Sequence, residues 1–482
     1  MFVAGRRNTM TVAGQPAVAY TYDNANRLLQ MTQGSANVTF SYDAGGRRLS
    51  LTLPNGITTN YAYNVASELT GITYQSSTNT LGDLSYAYDT AGRRSSIGGS
   101  FARTGLPQAV NSASYNANNE LTQWGGSPIG YDANGNMTSD STKTYSWDAR
   151  NHLASVGGGV TGSFQYDPFG RRVSKSIGGS ATSYLYDGAN AVQELSGSAP
   201  IANLLNAAPD EVLTRSVATG TSSYLADALG STVALADNAG VIQSQYNYEP
   251  FGQTTVSGAV NTNPVQYTGR ENDATGLYFY RARYYNPTIG RFISEDPIGF
   301  DGGDVNLYGY VRNDPVDRLD PTGKSWSHIH WAETFNAAIA AGFPFDIAEF
   351  LAAGVVAVDV GTQGTDPASA HKHAMGGMKG RYSGGQEPES CSEAYDGAIR
   401  NLNQDIANGD IMGGLHEIED SYASGHLYQP WTGVQSAAHK SGDQVIIPAA
   451  EAAAQAFLTA LWQNKPLGKG QDYLAPRPAN CK

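Results

Sequence analysis

The stretch "YDAGGRRL" (residues 42–49) follows the alternating run "NVTFS" (residues 37–41). Val38, Phe40 and Tyr42 fall at every second position, so a strand would carry all three on one side. The Asp and paired Gly that follow are the residues of a tight turn, and Arg47 opens the way back. One hairpin is therefore expected here. The pattern returns as "YDNANRL" at Tyr22, "YNVASEL" at Tyr63, "YDTAGRR" at Tyr88 and "YNANNEL" at Tyr115. It continues as "YDANGNM" at Tyr131, "WDARNHL" at Trp147 and "YDPFGRRV" at Tyr166. A lone hairpin cannot bury its own apolar side, so eight of them must stack.

Residue usage marks where the array stops. Of 29 tyrosines, 24 precede residue 325; of eight histidines, only His152 does. The chain has 482 residues, room for more than one domain. Its net charge of −13 argues against bulk electrostatic binding of nucleic acid. Two cysteines, Cys391 and Cys481, define neither a disulfide framework nor a zinc ribbon. The start "MFVAGRRNTM" lacks the apolar core of a Sec signal peptide. No run reaches the roughly 20 apolar residues of a membrane span.

The repeats resemble those of the YD/RHS-repeat polymorphic bacterial toxins. "YEPFG" at Tyr248, "YTGRENDATGLYFYRARYYNPTIGRFISEDPIGF" from Tyr267 and "NLYGYVRNDPVDRLDPTGK" from Asn306 resemble the RHS-associated core of that family. The resemblance implies a β-hairpin spiral shell around a C-terminal toxin, and self-cleavage at the end of the core by an aspartyl-protease-like arrangement. The residues at the matching positions are Arg291, Asp296 in "DPIG" and Asp320 in "DPTG". Two close carboxylates share a proton, so one serves as acid and the other as base. Asp-Pro and Pro-x-Gly also make turns on their own account. The family usually has Leu after the second motif, where this chain has Lys324.

Beyond Lys324 the pattern turns helical. "HWAETFNAAIAAG", "FDIAEFLAAGVVAV", "CSEAYDGAIRNLNQDIANG" and "IPAAEAAAQAFLTALWQNK" are Ala-rich, with apolar residues at helical spacing and Gly or Pro at their ends. The expected fold is therefore multidomain β + α. A YD-repeat β shell would occupy residues 1–247, the core residues 248–324, and an all-α domain residues 325–482.

Seven histidines gather in that last part. In "GGLHEIEDSYASGHLYQPW" (residues 413–431), His416 and Asp420 are four apart and share a helix face, and His426 follows. His439 and Asp443 repeat the spacing, while Asp359 precedes His373 by fourteen, with His371 as a rival. Imidazoles and carboxylates together suit zinc. The stretch resembles the signature of the zinc-dependent phospholipase C fold, shared by single-strand-specific zinc nucleases. That resemblance implies two or three zinc ions held by His330, Asp359, His373, His416, Asp420, His426, His439 and Asp443. Asp420 would bridge two metals, Asp359 would also be the catalytic base, and His328 is the alternative to His330. Trp326 is the counterpart of a tryptophan that is N-terminal in that family. "HEIED" is also one residue away from a zincin helix, with Glu417 as base but Asp420 in place of the last His.

Clustered zinc lowers the pKa of bound water to about 7 and stabilises charge on a phosphodiester. Three functions stand open. One is a secreted or surface effector with a phospholipase C-like domain, favoured by the acidic charge and the lack of a basic aromatic track. Another is a nuclease on the same scaffold. The third is a non-enzymatic YD-repeat surface protein. An immunity protein as partner follows from the toxin resemblance alone.

Overall fold

A computed structural model describes residues 2–3, 6–24, 27–44, 46–77, 79–90, 92–302 and 304–324. Of the rest it describes 378–379, 387–388, 391–408, 411, 415, 418, 453–458 and 473–474. The chain divides into two compact units. Met1–Gly34, Tyr42–Arg47 and His328–Lys482 form one; Ser35–Ser41 and Arg48–Ser327 form the other.

The second unit is antiparallel β-sheet laid down in chain order. Five strands run from Arg48–Thr52 to Arg94–Gly98, each beside its sequence neighbour. Fourteen more run from Gly130–Tyr131 to Thr254–Gly258 as one continuous meander. The core motif adds a four-stranded sheet of Glu271–Asn272, Tyr278–Tyr280, Arg283–Asn286 and Arg291–Phe292.

The repeat motif accounts for this regularity. At Asp167 the backbone N–H donates to the carbonyl of Arg171, and Gly170 N–H donates back to the carbonyl of Asp167. The Asp167 carboxylate accepts the N–H groups of Phe169 and Arg171, and its second oxygen pairs with the Arg171 guanidinium. The turn holds one residue too many for the ladder, so the register slips at Tyr166. Similar slips fall at Tyr63, Tyr88, Tyr115, Tyr131 and Trp147. The aromatic at several such slips reaches back to the first residue of an earlier strand. Tyr63 donates to the carbonyl of Arg48, Tyr88 to Leu69, Tyr166 to Leu153 and Tyr186 to Arg172, at 2.7–3.0 Å. Tryptophan can do the same through its indole N–H, and Trp147 does, to Met137 at 2.8 Å. A buried phenol needs such a partner, which is why Tyr or Trp stands here and Phe does not.

Apolar cores tie the sheets together. Ile57, Ile72, Tyr74 and Leu84 of the five-stranded sheet pack on Leu225, Val233 and Ala234 of the larger one. Tyr248, Tyr267, Tyr278, Tyr280, Tyr285, Phe292 and Tyr310 form an aromatic cluster under the core motif. Beside it lies a buried ion network. Arg172 donates to Glu271 at 2.6 Å, to Tyr284 at 2.9 Å and to Asp273. Lys175 donates to Asp273 at 2.9 Å and Glu271 at 3.2 Å. Burial alone would raise the Glu271 carboxyl; Arg172 and Lys175 hold it down at about 2.

In the first unit, Val18–Tyr22 pairs with Leu28–Gln33 through the turn at Asp23. Its C-terminal part has the helix Cys391–Asn408, helical residues 453–458, and one short strand pair, Met378–Lys379 with Glu387–Pro388. Ala398 and Leu402, one turn apart, are both fully buried. The described residues thus include the expected helix, but with a strand pair beside it, so an all-α domain is not what they show. The remainder of that expectation falls outside the described residues, where sequence periodicity alone supports it. Among the described residues, no helix is long and apolar enough to cross a membrane.

Candidate functional site

A strand made of "RYYN" decides where the chemistry sits. Arg283–Asn286 is wholly buried, and Arg283 keeps its charge there only because acids meet it. Its guanidinium pairs with Asp296 Oδ2 at 2.8 Å and Asp320 Oδ2 at 3.4 Å. It also donates to the carbonyls of Gly323 and, at 2.9 Å, Leu307, and lies 3.6 Å over the Phe292 ring. Burial pulls this guanidinium below its ordinary value, against the two carboxylates.

The turn at residues 320–324 is fastened to the same strand. Asp320 Oδ1 accepts the N–H groups of Gly323 at 2.7 Å and Lys324 at 3.2 Å. Ala282 N–H donates to the carbonyl of Thr322 at 3.1 Å, and Arg281 donates to that of Pro321. Gly323 has φ +70°, and a Cβ there would stand 2.1 Å from the carbonyl oxygen of Tyr280. Only glycine lets the turn lie this close.

Asp296 faces the turn from the other motif. Its N–H donates to the carbonyl of Leu307, and its Oδ1 accepts the N–H of Ile298. Burial pushes its carboxyl up from 3.8 to about 6, overcoming the pull of Arg283. Between Asp296 and the turn lies Gly302. The point where its Cβ would stand is 2.8 Å from Asp296 Oδ2 and 2.8 Å from the carbonyl oxygen of Lys324. Asp296, Arg283, Gly302, Asp304 and Asn306 line a small open cleft. A protonatable carboxyl and one particular peptide carbonyl thus both border Gly302, with Arg283 joining that carboxyl to a second carboxylate.

The structure brings Asp296 and Asp320 together through Arg283 rather than through Arg291. Arg291 donates to the carbonyl of Asn119 at 2.6 Å and to Asn306 Oδ1 at 2.8 Å, and its guanidinium lies over Tyr115 and Tyr308. Sequence reading passed over Arg283, although a cation inside an aromatic strand run is itself a sign of a buried acid partner. The zinc-ligand candidates His330, Asp359, His373, His416, Asp420, His426, His439 and Asp443 lie outside the described residues. Among the described residues no group of three His, Cys, Asp or Glu is placed to hold a metal.

The raised Asp296 has a direct consequence. A carboxyl with a raised folded-state value holds its proton more tightly folded than unfolded. Its contribution to stability is complete below 3.8 and is lost as pH rises through about 6. If the protonated form acts as an acid, any reaction at this site should slow above about pH 6. A pH series of the reaction checks this, and an unchanged rate from pH 5 to 8 would contradict it.

Comparison with known proteins agrees with the fold. The Teneurin YD-shell family matches residues 4–97 and 55–316. The tRNA nuclease WapA of Bacillus subtilis is 34% identical over 283 residues, 54% of this chain and 11% of the relative. Double-stranded DNA deaminase toxin A of Burkholderia cenocepacia is 26% identical over 393 residues, 67% of this chain and 27% of the relative. The match with WapA thus spans about a tenth of that relative's length. A solved Tc holotoxin pore of Photorhabdus luminescens shares the fold, with a TM-score of 0.53 at 21% identity over 66% of this chain and 21% of that one. On the repeats, the slipped turns and the family match over residues 4–97 and 55–316, the chain belongs to the Teneurin YD-shell family, alongside the RHS-type toxins.

Proposed function

We propose that this chain is the processing end of an RHS-type toxin, and that it hydrolyses its own peptide bond between Lys324 and Ser325. The observation that carries the reading is that Asp296 Oδ2 and the Lys324 carbonyl oxygen both border Gly302, each 2.8 Å from the point where its Cβ would stand, with Asp320 gripping the same turn. Water adds to the Lys324 carbonyl carbon and gives a proton to Asp320. The C–N bond then breaks, its electron pair goes to the Ser325 nitrogen, and Asp296 supplies that nitrogen's proton. The products are a Lys324 carboxylate and a Ser325 amine. Arg283 spans both carboxylates and offsets the negative charge that develops. Incubation of the purified chain followed by a denaturing gel tests this: two bands should replace one.

The detached segment, in this reading, is a zinc-dependent phosphodiesterase delivered as a secreted effector, with an immunity protein as its partner. Relatives named as a tRNA nuclease and a DNA deaminase support nucleic acid over phospholipid as substrate. The ligands remain those implied by the sequence, with Asp359 as base and Asp420 as bridge. Asp420→Ala is expected to lose more zinc by elemental analysis than His439→Ala, and both should shed metal below about pH 6. Equal, full occupancy in Asp420→Ala would refute the bridge. A panel of RNA, single-stranded DNA and phosphatidylcholine, each with and without chelator, decides the substrate. Turnover of phosphatidylcholine alone would restore the phospholipase reading.

A further inference from the structure

Gly302 lines the cleft, and its backbone gives no reason to be glycine. Its φ lies outside the left-handed region, and it is buried. Space is the reason that remains. An added Cβ would stand 2.8 Å from Asp296 Oδ2, 2.8 Å from the Lys324 carbonyl oxygen and 3.2 Å from Asp296 Cγ. Side-chain carbons do not sit that close to neighbours, so something must move.

We propose that Gly302 is the positioning residue of the scissile-carbonyl site, its missing Cβ leaving the space that the Asp296 carboxyl and the Lys324 carbonyl both border. This rests on the self-cleavage reading above. The Lys324 side of the gap is fixed, because the turn is held by Asp320, by Ala282 N–H and by Arg283 on the Gly323 carbonyl. The Asp296 carboxyl, at the end of a side chain, is the part able to swing away. A methyl group at residue 302 would therefore separate the acid from the bond it protonates and leave the turn in place. The substrate class follows from the same geometry: a peptide carbonyl presented by a pinned turn of the same chain.

The test compares the full-length wild type, Gly302→Ala and Asp296→Asn for cleavage half-life, melting temperature and pH dependence. Gly302→Ala should keep the wild-type melting temperature and cleave about 100-fold more slowly or worse, the scale of a 1 Å misplacement. Its residual rate should no longer fall above pH 6, because the acid has left the reacting bond. Wild-type cleavage in Gly302→Ala, with Asp296→Asn uncut, overturns the proposal. Wild-type cleavage in Asp296→Asn instead overturns the processing reading, and this proposal with it. If Gly302→Ala melts early, the loss should shrink in an Asp296→Ala background, since two of the three crowded atoms are then gone. An equal loss in both backgrounds overturns the proposal as well.

Discussion

Asp296→Asn should leave the chain as a single full-length band under conditions where the wild type splits. Asparagine keeps the size of the side chain, and its oxygen can still accept the N–H of Ile298. What it lacks is the proton. Removing a general acid typically costs about 100- to 10,000-fold in rate. The fold should tolerate the change, because the neighbouring Arg283 keeps Asp320 and the carbonyls of Gly323 and Leu307. Melting temperature is the control. An uncut variant that still melts with the wild type places the defect in chemistry. Cleavage at the wild-type rate would remove Asp296 from the reaction.

Arg172→Ala should give the largest loss of stability in the β unit. Arg172 is fully buried and holds two carboxylates, Glu271 and Asp273. Without it, Lys175 is left as the cation facing both. Breaking one partner out of a buried ion pair costs about 3–5 kcal/mol, because the remaining charge stays desolvated. The cavity under Phe279, over which the guanidinium lies at 3.9 Å, adds to the loss. Glu271 has a depressed folded-state value, so its contribution is complete above 4.5 and lost as pH falls through about 2. The full penalty should therefore appear at neutral pH. Urea unfolding of the two proteins measures it, and a difference under about 1 kcal/mol would mean the site relaxes or admits water.

The hairpin array was legible because its signal is local and repeated. Alternation, Asp in the turn and Arg four residues later are each readable within eight residues, and the Asp167 turn makes the bonds such a sequence predicts. The reason for the tyrosine was not legible. Its partner is a carbonyl thirteen to nineteen residues earlier, such as Leu153 for Tyr166 or Leu69 for Tyr88. The two acids of the cleft were found from their motifs. Arg291 was grouped with them by the family motif alone, and Arg283, in the same aromatic stretch, was passed over. Their partners distinguish them: Arg283 meets Asp320 beside the turn at residues 320–324, whereas Arg291, also buried in a strand, bonds to Asn119 and Asn306. Gly302 was invisible because nothing in sequence distinguishes a glycine needed for space from one needed for a turn.

The new N-terminus of the released fragment tests the central claim most directly. Sequencing that fragment, with the intact mass of both products, reads the cut bond without any assumption about activity. A fragment that begins Ser-Trp-Ser, at Ser325, is the predicted result. A cut at another bond, or a wild-type chain that stays whole from pH 5 to 8, would contradict it.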